Sequence, residues 1–436
     1  MRQILKKIII SILTLEARLV LLKYRPKIIA VTGSVGKTST KDAIFAVFAA
    51  HDFVRKSEKS FNSDIGIPLT ILGLPNGWYD WRIWFSNIIE GAKLVLLKNH
   101  YPRRLVLEVG ADRPGDIRSV ARWLKPDAVV VTRFSKMPVH VEFFDSPEAL
   151  LEEKATLVEA LKTGGILVLN YDDPDAMHLK EKAKSPRLVT YGSSLGARIR
   201  ATENEIMYAT DADGRRLPTG MRFHVSYIGN TAVVQLYGVV GRQYVAAALA
   251  ALSLGITAGI SITALVKSLG DLAWPLGRLA LIPGKNNSLL LDDTYNSSPI
   301  AVEAALETLR RIEAPEGGRK IAVLGDMLEL GKYTSEAHRH IGWQAAFADM
   351  VLGVGMRAEN IIRGAEDNGI QKKAVLHVKT AEEAGEFLSD KIMPGDIILI
   401  KGSQNMRMER AVKMLMAYPE DAEKLLVRQE AVWEEK

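Results

Sequence analysis

The sequence predicts an α/β fold with mostly parallel sheets, because short β-branched runs alternate with longer stretches of helical periodicity. The predicted strands are Ile28–Thr32, Leu105–Val109, Ala128–Thr132, Ile166–Asn170, Leu289–Asp292, Ile321–Leu324, Met350–Val354 and Ile397–Lys401. The predicted helices include Lys37–Ala50, Pro147–Leu161, Ile300–Ile312 and Glu336–Ala348. No internal repeat interrupts this alternation, so we expect ordinary globular α/β domains.

The chain is long enough for two or three domains, since it has 436 residues and domains contain roughly 100–200 residues each. A junction is predicted near Trp274–Gly277, where a proline and a glycine follow a helical stretch. The expected units are residues 1–26, 27–276 and 277–436. The charged tail after Pro419 is expected to form a solvated helix or a frayed end.

Composition excludes several classes of protein. Hydrophobic residues make up 47% of the chain and charged residues 25%, as in a globular protein with a real core. The absence of cysteine excludes disulfide bonds and zinc–thiolate sites, and it fits a reducing cytosol. Residues 1–27 contain seven basic residues and one acidic residue, which accounts for the whole net charge of +6. Because the rest of the chain is balanced, we expect no nucleic-acid partner.

The first 26 residues are expected to form a basic amphipathic helix. Their longest uncharged apolar run, Ile8–Leu15, is too short to span a bilayer, and no small-residue cleavage site follows, so a signal peptide is not expected. Helical spacing aligns a narrow polar stripe, which consists of Lys7, Ser11, Thr14 and Arg18. Two interpretations fit: a helix packed against the protein body, or a peripheral helix in a membrane interface.

The clearest chemical signal is the glycine-rich turn Gly33–Thr40 (G-S-V-G-K-T-S-T), between a predicted strand and a predicted helix. Backbone N–H groups of such a turn can surround a phosphate, and the helix N-terminus adds a favourable dipole. Lys37 would bridge the β- and γ-phosphates of ATP, and the Thr38 hydroxyl would bind Mg²⁺. The predicted nucleotide-binding residues are Gly33, Ser34, Val35, Gly36, Lys37, Thr38 and Ser39. The alternative is a turn that binds no ligand, since Val31 replaces the first glycine of the general motif.

The segment Thr32–Thr40 resembles the ATP loop of the Mur ligases, and further segments follow in the order of that family. These are Asn62–Leu72 (NSDIGIPLTIL), Leu107–Ile117 (LEVGADRPGDI), Asn170–Pro174 (NYDDP), Asp292–Pro299 (DDTYNSSP), Leu324–Gly331 (LGDMLELG) and Lys401–Arg410 (KGSQNMRMER). The last three resemble the members that add D-alanyl-D-alanine to UDP-N-acetylmuramoyl-tripeptide. The resemblance implies a P-loop central ATPase domain, with a mostly parallel sheet, and a C-terminal Rossmann-like α/β domain.

The resemblance also implies a metal and catalytic site. Glu108, His140 and Lys154 match metal-binding positions, with Thr38, for two Mg²⁺ ions. Lys154 matches a lysine that CO₂ carbamylates, which turns a cation into an anionic oxygen ligand. Judged by its own surroundings in the sequence, Lys154 is an ordinary lysine on a helix surface. Together with Lys37 and Arg278, which matches an arginine facing phosphate, His140 and Lys154 make up the expected catalytic set.

Further matched positions concern the nucleotide and the substrates. Asp293 matches a contact to the ATP ribose, with Asn296 beside it. The positions matched to the substrate cleft are Asn62, His338, Lys401, Ser403, Arg407 and Glu409. Three residues depart from the family's G-x-H-N pattern near the adenine, namely Gln243, Tyr244 and Ala247.

The resemblance implies that the protein is a cytoplasmic, ATP-dependent ligase. It would join D-alanyl-D-alanine to a muramoyl-peptide precursor through an acyl phosphate. The UDP-binding N-terminal domain usual in the family is expected to be absent, because the phosphate loop already begins at Gly33. One alternative is therefore the same chemistry on another acceptor, such as a lipid-linked one, at the inner face of the membrane. The other alternative is a switch protein that hydrolyses ATP without ligation.

Overall fold

The structure is a computed structural model and describes residues 2–58, 64–78, 80–135, 137, 140–211, 213–430 and 433. Two β-sheets organise these residues, a nine-stranded sheet in the first part of the chain and a six-stranded sheet in the second. None of the helices within the described ranges is long and apolar enough to cross a membrane.

The nine-stranded sheet is parallel except at one edge. Its strands are β1 (Lys27–Thr32), β2 (Val54–Lys56), β3 (Arg104–Glu108), β4 (Ala128–Val131), β5 (Ile166–Asn170), β6 (Arg187–Gly192), β7 (Ile199–Thr210), β8 (Arg216–Tyr227) and β9 (Asn230–Tyr237). The order is β2-β3-β1-β4-β5-β6-β7-β8-β9. Only the last three strands pair antiparallel. Strand β1 is therefore interior, and its carboxyl end opens into the glycine-rich turn.

Helices cover both faces of this sheet, because its parallel strands are apolar on both sides. The helices are α1 (Arg2–Tyr24), α2 (Lys37–Ala49), α3 (Gly66–Leu72), α4 (Trp81–Leu96), α5 (Asp116–Leu124), α6 (Pro147–Glu159), α7 (Pro174–His178), α8 (Arg242–Thr257) and α9 (Ile262–Gly270). Ile29 and Val31 enter a core with α2 and α8, whereas Ile28 and Ala30 enter a second core with α1, α3, α5 and α6. This alternation follows the two-residue period of a strand.

The six-stranded sheet is parallel apart from its first strand. Its strands are β10 (Ala280–Gly284), β11 (Ser288–Asp293), β12 (Lys320–Gly325), β13 (Met350–Val354), β14 (Val375–Val378) and β15 (Ile397–Lys401), and its helices are α10 (Pro299–Arg311), α11 (Thr334–Ala345), α12 (Glu359–Asp367), α13 (Ala381–Ser389), α14 (Glu409–Leu415) and α15 (Ala422–Leu425). The order is β10-β11-β15-β12-β13-β14, with β10 antiparallel to β11. Asp293 and Lys401 end neighbouring strands in register.

The predicted fold class is confirmed. All eight predicted strands and all four predicted helices are present, with ends that differ by no more than three residues. The strands that were not predicted include the antiparallel set β7 to β9, whose half-buried pattern is weaker than that of the buried parallel strands. The division at residues 276 and 277 stays a prediction; β10 begins shortly after it, at Ala280.

The prediction for the tail after Pro419 is wrong over part of its length. Ala422 and Leu426 are buried in the core of the six-stranded sheet. Arg428 is 7% exposed, and its guanidinium donates to Glu409 Oε2 at 3.0 Å and to the Thr294 carbonyl at 3.1 Å. A charged residue in a terminal segment looks solvated in the sequence, but here it has a buried carboxylate partner.

The N-terminal segment forms the predicted helix, and one of its faces is packed. Leu13, Ala17 and Val20 are fully buried in the core shared with α3. The Lys23 ammonium donates to three carbonyls at the end of α4, those of Leu94, Val95 and Leu97. The packed-helix interpretation therefore accounts for one face of α1, and its other face is exposed.

Glu16 lies in the seam between α1 and α4 and should make stability depend on pH. A Cβ on Gly91 would overlap Glu16 Oε2, which has no hydrogen-bond partner among the described residues. Burial raises the Glu16 pKa from 4.5 to about 7, so the ionised form costs folding free energy and stability falls as pH rises between these values. We expect Glu16→Gln to stabilise the protein by about 1–3 kcal/mol at pH 8 but not at pH 4. Equal shifts of the urea midpoint at both pH values would contradict this.

Candidate active site

Hydrogen bonds to the chain beyond β4 and one contact within the turn hold the glycine-rich turn in place. The backbone N–H groups of Ser34 and Val35 donate to the Arg133 carbonyl at 2.8 and 3.2 Å, which ties the turn to the chain beyond β4. The Lys37 ammonium folds back and donates to the Gly33 carbonyl at 3.0 Å. Burial lowers the pKa of Lys37, whereas nearby Glu108 raises it. The turn thus keeps a desolvated cation at the N-terminus of α2, where an anion would bind.

Gly33 cannot carry a side chain, which gives a direct test of the turn. Its φ is +139°, and a Cβ there would overlap the Thr132 hydroxyl. Gly36 also has a positive φ, +85°, but nothing lies within 4 Å of its added Cβ. We expect Gly33→Ala to abolish ADP binding measured by calorimetry and Gly36→Ala to weaken it less, because both strain the backbone but only the first also clashes with Thr132. Comparable affinities for the two variants would contradict this geometry.

Glu108 and Lys154 flank the turn from two sides. Glu108 ends β3, next to Val31 of β1 in register, and is 4% exposed. Its Oε2 is buried without a hydrogen-bond partner among the described residues. The Lys154 ammonium, on α6, donates to Ser34 Oγ at 3.0 Å. The structure therefore brings together these sequence-predicted residues, which are far apart in the chain.

Lys154 is a buried lysine with an unusual environment. It is 5% exposed, and no carboxylate lies within ion-pair distance of it in the described structure. Burial lowers the Lys154 pKa well below its ordinary value, and the nearby Lys37 charge lowers it further. Burial therefore favours the neutral, nucleophilic form of this amine more than in an exposed lysine.

His140 lies at the meeting point of the two sheets' loops. Its Nδ1 is 2.6 Å from Glu329 Oε2, and its Nε2 is 3.5 Å from Asp112 Oδ1. Glu329 follows β12 of the six-stranded sheet, whereas Asp112 follows β3. Neither carboxylate was predicted as a site residue, although both lie inside the segments that resemble the Mur ligases. His140 thus joins the two parts of the chain through two carboxylates.

Arg278 reaches back from the second part of the chain to the turn. Its Nη2 donates to Thr38 Oγ1 at 3.1 Å, and its guanidinium lies over the Tyr295 ring at 4.3 Å from the centroid. The Arg278 Nε is buried and has no hydrogen-bond partner among the described residues. The Tyr244 hydroxyl donates to the Arg278 carbonyl, so a residue that departs from the family pattern positions this arginine.

Asp293 and Lys401 form a buried ion pair at the ends of β11 and β15. Lys401 Nζ is 2.7 Å from Asp293 Oδ2 and donates to the Asn296 carbonyl at 2.9 Å. Burial raises the pKa of Asp293, while the Lys401 charge lowers it. The charge of Lys401 is therefore matched inside the protein, and it also fixes the turn that contains Asn296.

Three predicted substrate residues instead hold the second part of the chain together. His338 is fully buried, with Nε2 accepting from Met327 N at 2.9 Å and Nδ1 donating to the Thr334 carbonyl at 2.6 Å. The Ser403 hydroxyl accepts from Leu328 N at 2.9 Å. Arg407 pairs with Glu409, Nε to Oε1 at 2.6 Å. Their expected place at the substrate cleft after closure of the C-terminal domain stays a prediction.

Asn62, the remaining predicted substrate residue, lies outside the described residues. The other predicted members of the site are all described. Within the described part of the chain, no three His, Asp or Glu side chains converge in the manner of an all-protein metal cage. That finding is compatible with Mg²⁺ bound mainly by nucleotide phosphates, because Mg²⁺ usually takes only one or two protein carboxylates beside phosphate and water oxygens.

A cavity of about 540 Å³ extends from the glycine-rich turn. It begins at Val35, Gly36 and Thr40 and continues between the nine-stranded sheet and α10. The residues that line it also include Asn170, Gly241, Gln243, Ala247 and Arg311. Asn170 lies in a segment that resembles the Mur ligases and Gln243 at a position expected near the adenine, whereas Arg311 was not predicted as a site residue. The volume of this cavity and its position beside the glycine-rich turn suit a nucleoside.

Comparison with known proteins shows which family the chain belongs to. The sequence-family model for the Mur ligase middle domain matches residues 85–255. The family model described as "Mur ligase, glutamate ligase domain" matches residues 277–404. A UDP-N-acetylmuramoyl-tripeptide--D-alanyl-D-alanine ligase of Bacillus subtilis is 30% identical over 395 residues, which cover 90% of this chain and 76% of that protein. The chain belongs to the Mur ligase family. The predicted resemblance is therefore confirmed.

Solved structures agree with this assignment. MurF of Acinetobacter baumannii is 25% identical with a TM-score of 0.75, and the match covers 93% of this chain and 79% of that one. MurF of Thermotoga maritima in complex with ADP is also 25% identical, with a TM-score of 0.74 and coverage of 95% and 84%. A second sequence relative is the UDP-N-acetylmuramoyl-tripeptide--D-alanyl-D-alanine ligase of Escherichia coli. It is 28% identical over 404 residues, which cover 89% of this chain and 76% of that protein.

Proposed function

We propose that the chain is an ATP-dependent, ADP-forming ligase that adds D-alanyl-D-alanine to a muramoyl-peptide precursor of peptidoglycan. The observation that carries this proposal is the convergence of Lys37, Arg278 and Lys154 on one glycine-rich turn, at the mouth of a cavity of nucleoside size. The names of the relatives supply the substrates, a UDP-muramoyl-tripeptide and D-alanyl-D-alanine.

The turn and its cations serve the first chemical step. A carboxylate oxygen of the acceptor attacks the γ-phosphorus of ATP, the bond to the β-phosphate oxygen breaks, and ADP leaves with that electron pair. Lys37 would neutralise charge on the transferring phosphoryl group, and Arg278, which contacts Thr38 and has no partner for its Nε among the described residues, would add to this effect. Donors fixed in a desolvated site lower the barrier because they need not reorganise during the reaction.

The second step forms the amide. The amine of D-alanyl-D-alanine attacks the acyl phosphate carbon, the C–O bond to phosphate breaks, and inorganic phosphate leaves as the amine loses a proton. Enclosure between the two sheets would exclude the water that otherwise hydrolyses the acyl phosphate. His140 and Glu329, one from each side of this cleft, are suited to hold the two parts of the chain together while the amine attacks.

Mg²⁺ fits the residues around the turn. Glu108 offers a buried Oε2 that has no hydrogen-bond partner in the described part of the chain, and Thr38 offers a hydroxyl at the first turn of α2. His140 and a modified Lys154 would complete a second position. When bound, Mg²⁺ would supply positive charge to the phosphate oxygens. The Thr38 hydroxyl also accepts from Arg278, so this arginine lies beside the oxygen that Mg²⁺ would use.

Lys154 is suited to carbamylation. Its neutral amine would attack CO₂, form a C–N bond and release one proton, which leaves an anionic carbamate beside Lys37. The burial that lowers the Lys154 pKa supports this, because only the neutral amine is nucleophilic. A negative group at this position would also attract the Lys37 charge, which disfavours a protonated Lys154.

The proposal is tested by phosphate release with ATP and D-alanyl-D-alanine. UDP-linked and lipid-linked muramoyl-tripeptides are compared as acceptors, and L-alanyl-L-alanine is the control amine. We expect release that requires both the acceptor and the D-dipeptide. Phosphate release that is independent of the amine would instead indicate an ATP-hydrolysing switch.

We also propose a cytoplasmic location, in which residues 1–26 bring the enzyme to the inner face of the membrane. The positive charge of this segment supports the contact, since each basic residue near an anionic surface is worth about 1 kcal/mol. A lipid-linked acceptor would then be within reach, and a UDP-linked acceptor would remain usable. Transfer of activity to the membrane fraction at low salt, lost when the chain begins at Pro26, would support this location.

A further inference from the structure

The exposed face of α1 is apolar over most of its length. Ile8, Leu15, Leu19 and Leu22 are between 40% and 71% exposed, and their spacing of three, four and seven residues aligns them on one side of the helix. These side chains point away from the core that buries Leu13. A helix that only packed against the protein body would have polar residues here.

A second apolar stripe lies on α4, the helix beside α1. Trp81, Phe85, Ile89 and Leu96 are between 40% and 79% exposed, and Trp78 and Leu97 extend the stripe at its two ends. Trp81, Phe85 and Ile89 are four residues apart, so they project from the same side of α4. Nothing in the described residues covers these side chains.

The two stripes belong to one surface. Glu16 lies against Gly91 in the middle of α4, and Lys23 donates to carbonyls at the end of α4, so the two helices run in the same direction. Leu19 is four residues from Lys23 and therefore projects near the side of α1 that contacts α4. We name this surface, with the stripes on α1 and α4, the two-helix face.

Basic residues border the two-helix face. On α1, the exposed charged side chains among the described ones are Lys6, Lys7, Arg18 and Lys23, all of them basic. On α4, Arg82 is exposed, and Lys93 pairs with Glu90 at 2.8 Å. Large apolar side chains with tryptophan, surrounded by lysine and arginine, match the chemistry of the interface of an anionic bilayer. This charge makes a lipid surface a better occupant than a second copy of the chain, whose basic residues would repel.

We propose that the two-helix face lies in the plane of an anionic phospholipid bilayer, with α4 contributing as much of the contact as α1. This deepens, and rests on, the proposed membrane contact of residues 1–26, and it adds a lipid-binding role for Trp81 and Phe85. Neither helix spans the membrane. The apolar stripes enter the boundary between headgroups and acyl chains, and the basic residues meet the phosphates.

The experiment measures co-sedimentation of the full chain with vesicles of phosphatidylcholine, with and without phosphatidylglycerol. The variants are Trp81→Ser/Phe85→Ser on α4 and Leu15→Ser/Leu22→Ser on α1. The matched control is Ile228→Ser/Met356→Ser, which removes two exposed apolar side chains far from the face in sequence. Thermal midpoints and ADP binding confirm that each variant is folded.

We expect the unchanged chain and the control to bind anionic vesicles at least about tenfold more tightly than neutral ones, with binding that weakens as salt is added. Each of the two face variants should lose about tenfold or more in anionic-vesicle affinity. Tryptophan emission should shift to the blue with vesicles, and brominated lipid should quench it less in Trp81→Phe than in the unchanged chain.

Three results would overturn the inference. Full binding by the α4 variant, with loss in the α1 variant, would leave the membrane contact of residues 1–26 standing and refute the two-helix face. Absence of binding by the unchanged chain would refute both. A concentration-dependent dimer that the α4 change dissolves, without vesicle binding, would assign the face to a second copy. Vesicle binding is measured without substrate. A negative ligase assay would therefore contradict the proposed ligase function without contradicting the two-helix face.

Discussion

Lys37→Ala should abolish ATP-dependent ligation while leaving the protein folded. The Lys37 ammonium lies inside the glycine-rich turn, donating to the Gly33 carbonyl, and burial lowers its pKa. Its removal therefore relieves an unfavourable desolvation in the free protein but takes away the cation that would meet the β- and γ-phosphates. We expect the rate of phosphate release to fall by about 10³-fold or more, and ADP affinity to fall with it.

A matched control separates this effect from general loss of charge. Lys372→Ala removes an exposed lysine in a short helical turn before β14 and should leave both the rate and ADP affinity unchanged. Lys37→Arg keeps the charge in a larger group, and we expect it to be nearly as inactive as Lys37→Ala because the turn is too tight for a guanidinium. An active, folded Lys37→Ala variant would refute the assignment of the turn as the phosphate site.

The strands that could be predicted are those whose whole surface is buried. β1, β4 and β15 are continuous apolar runs, and such runs are typical of parallel strands covered on both sides. β7 and β8 are longer, yet their residues alternate irregularly between buried and exposed because one face meets solvent and bulges shift the register. Local periodicity contains too little information to identify such strands.

The residues of the candidate site also differ in how far the sequence alone predicts them. The glycine-rich turn could be predicted because its chemistry is local in the sequence, within Gly33–Thr40. Lys154 could be found only through the resemblance, since the burial that lowers its pKa depends on a turn 120 residues away. Glu329 shows the same limit, because only the fold brings it to His140.

A match to a sequence motif also does not distinguish a residue that contacts substrate from one that fixes the position of a neighbouring loop. His338 and Ser403 both accept backbone N–H groups from the segment Met327–Leu328. That segment precedes Glu329, so the two side chains act on the site by fixing the loop that carries this carboxylate to His140. Their match to family positions stays a prediction, and the sequence alone does not reveal these backbone contacts.

Lys154→Ala should be nearly inactive, and its activity should be partly restored by a short carboxylic acid. If the carbamate of Lys154 supplies a negative oxygen beside the phosphate turn, its loss leaves a small cavity with two cations, Lys37 and Arg278, at its edge. Formate or acetate can enter that space and replace the missing charge. We expect phosphate release to fall by about 10²–10³-fold, with a rise on adding formate that chloride at equal ionic strength does not give.

The carbamate itself can be observed without turnover. In ¹³CO₂-equilibrated protein, a carbamate carbon resonance should be present for the unchanged chain and for Lys162→Ala, which removes an exposed lysine paired with Asp127, and absent for Lys154→Ala. Because burial and the Lys37 charge both lower the Lys154 pKa, the neutral amine that reacts with CO₂ should persist to lower pH than in an exposed lysine. Occupancy should then fall only at lower pH, as the amine takes up a proton. Normal turnover in Lys154→Ala, or a resonance that survives the substitution, would show that the buried amine acts unmodified.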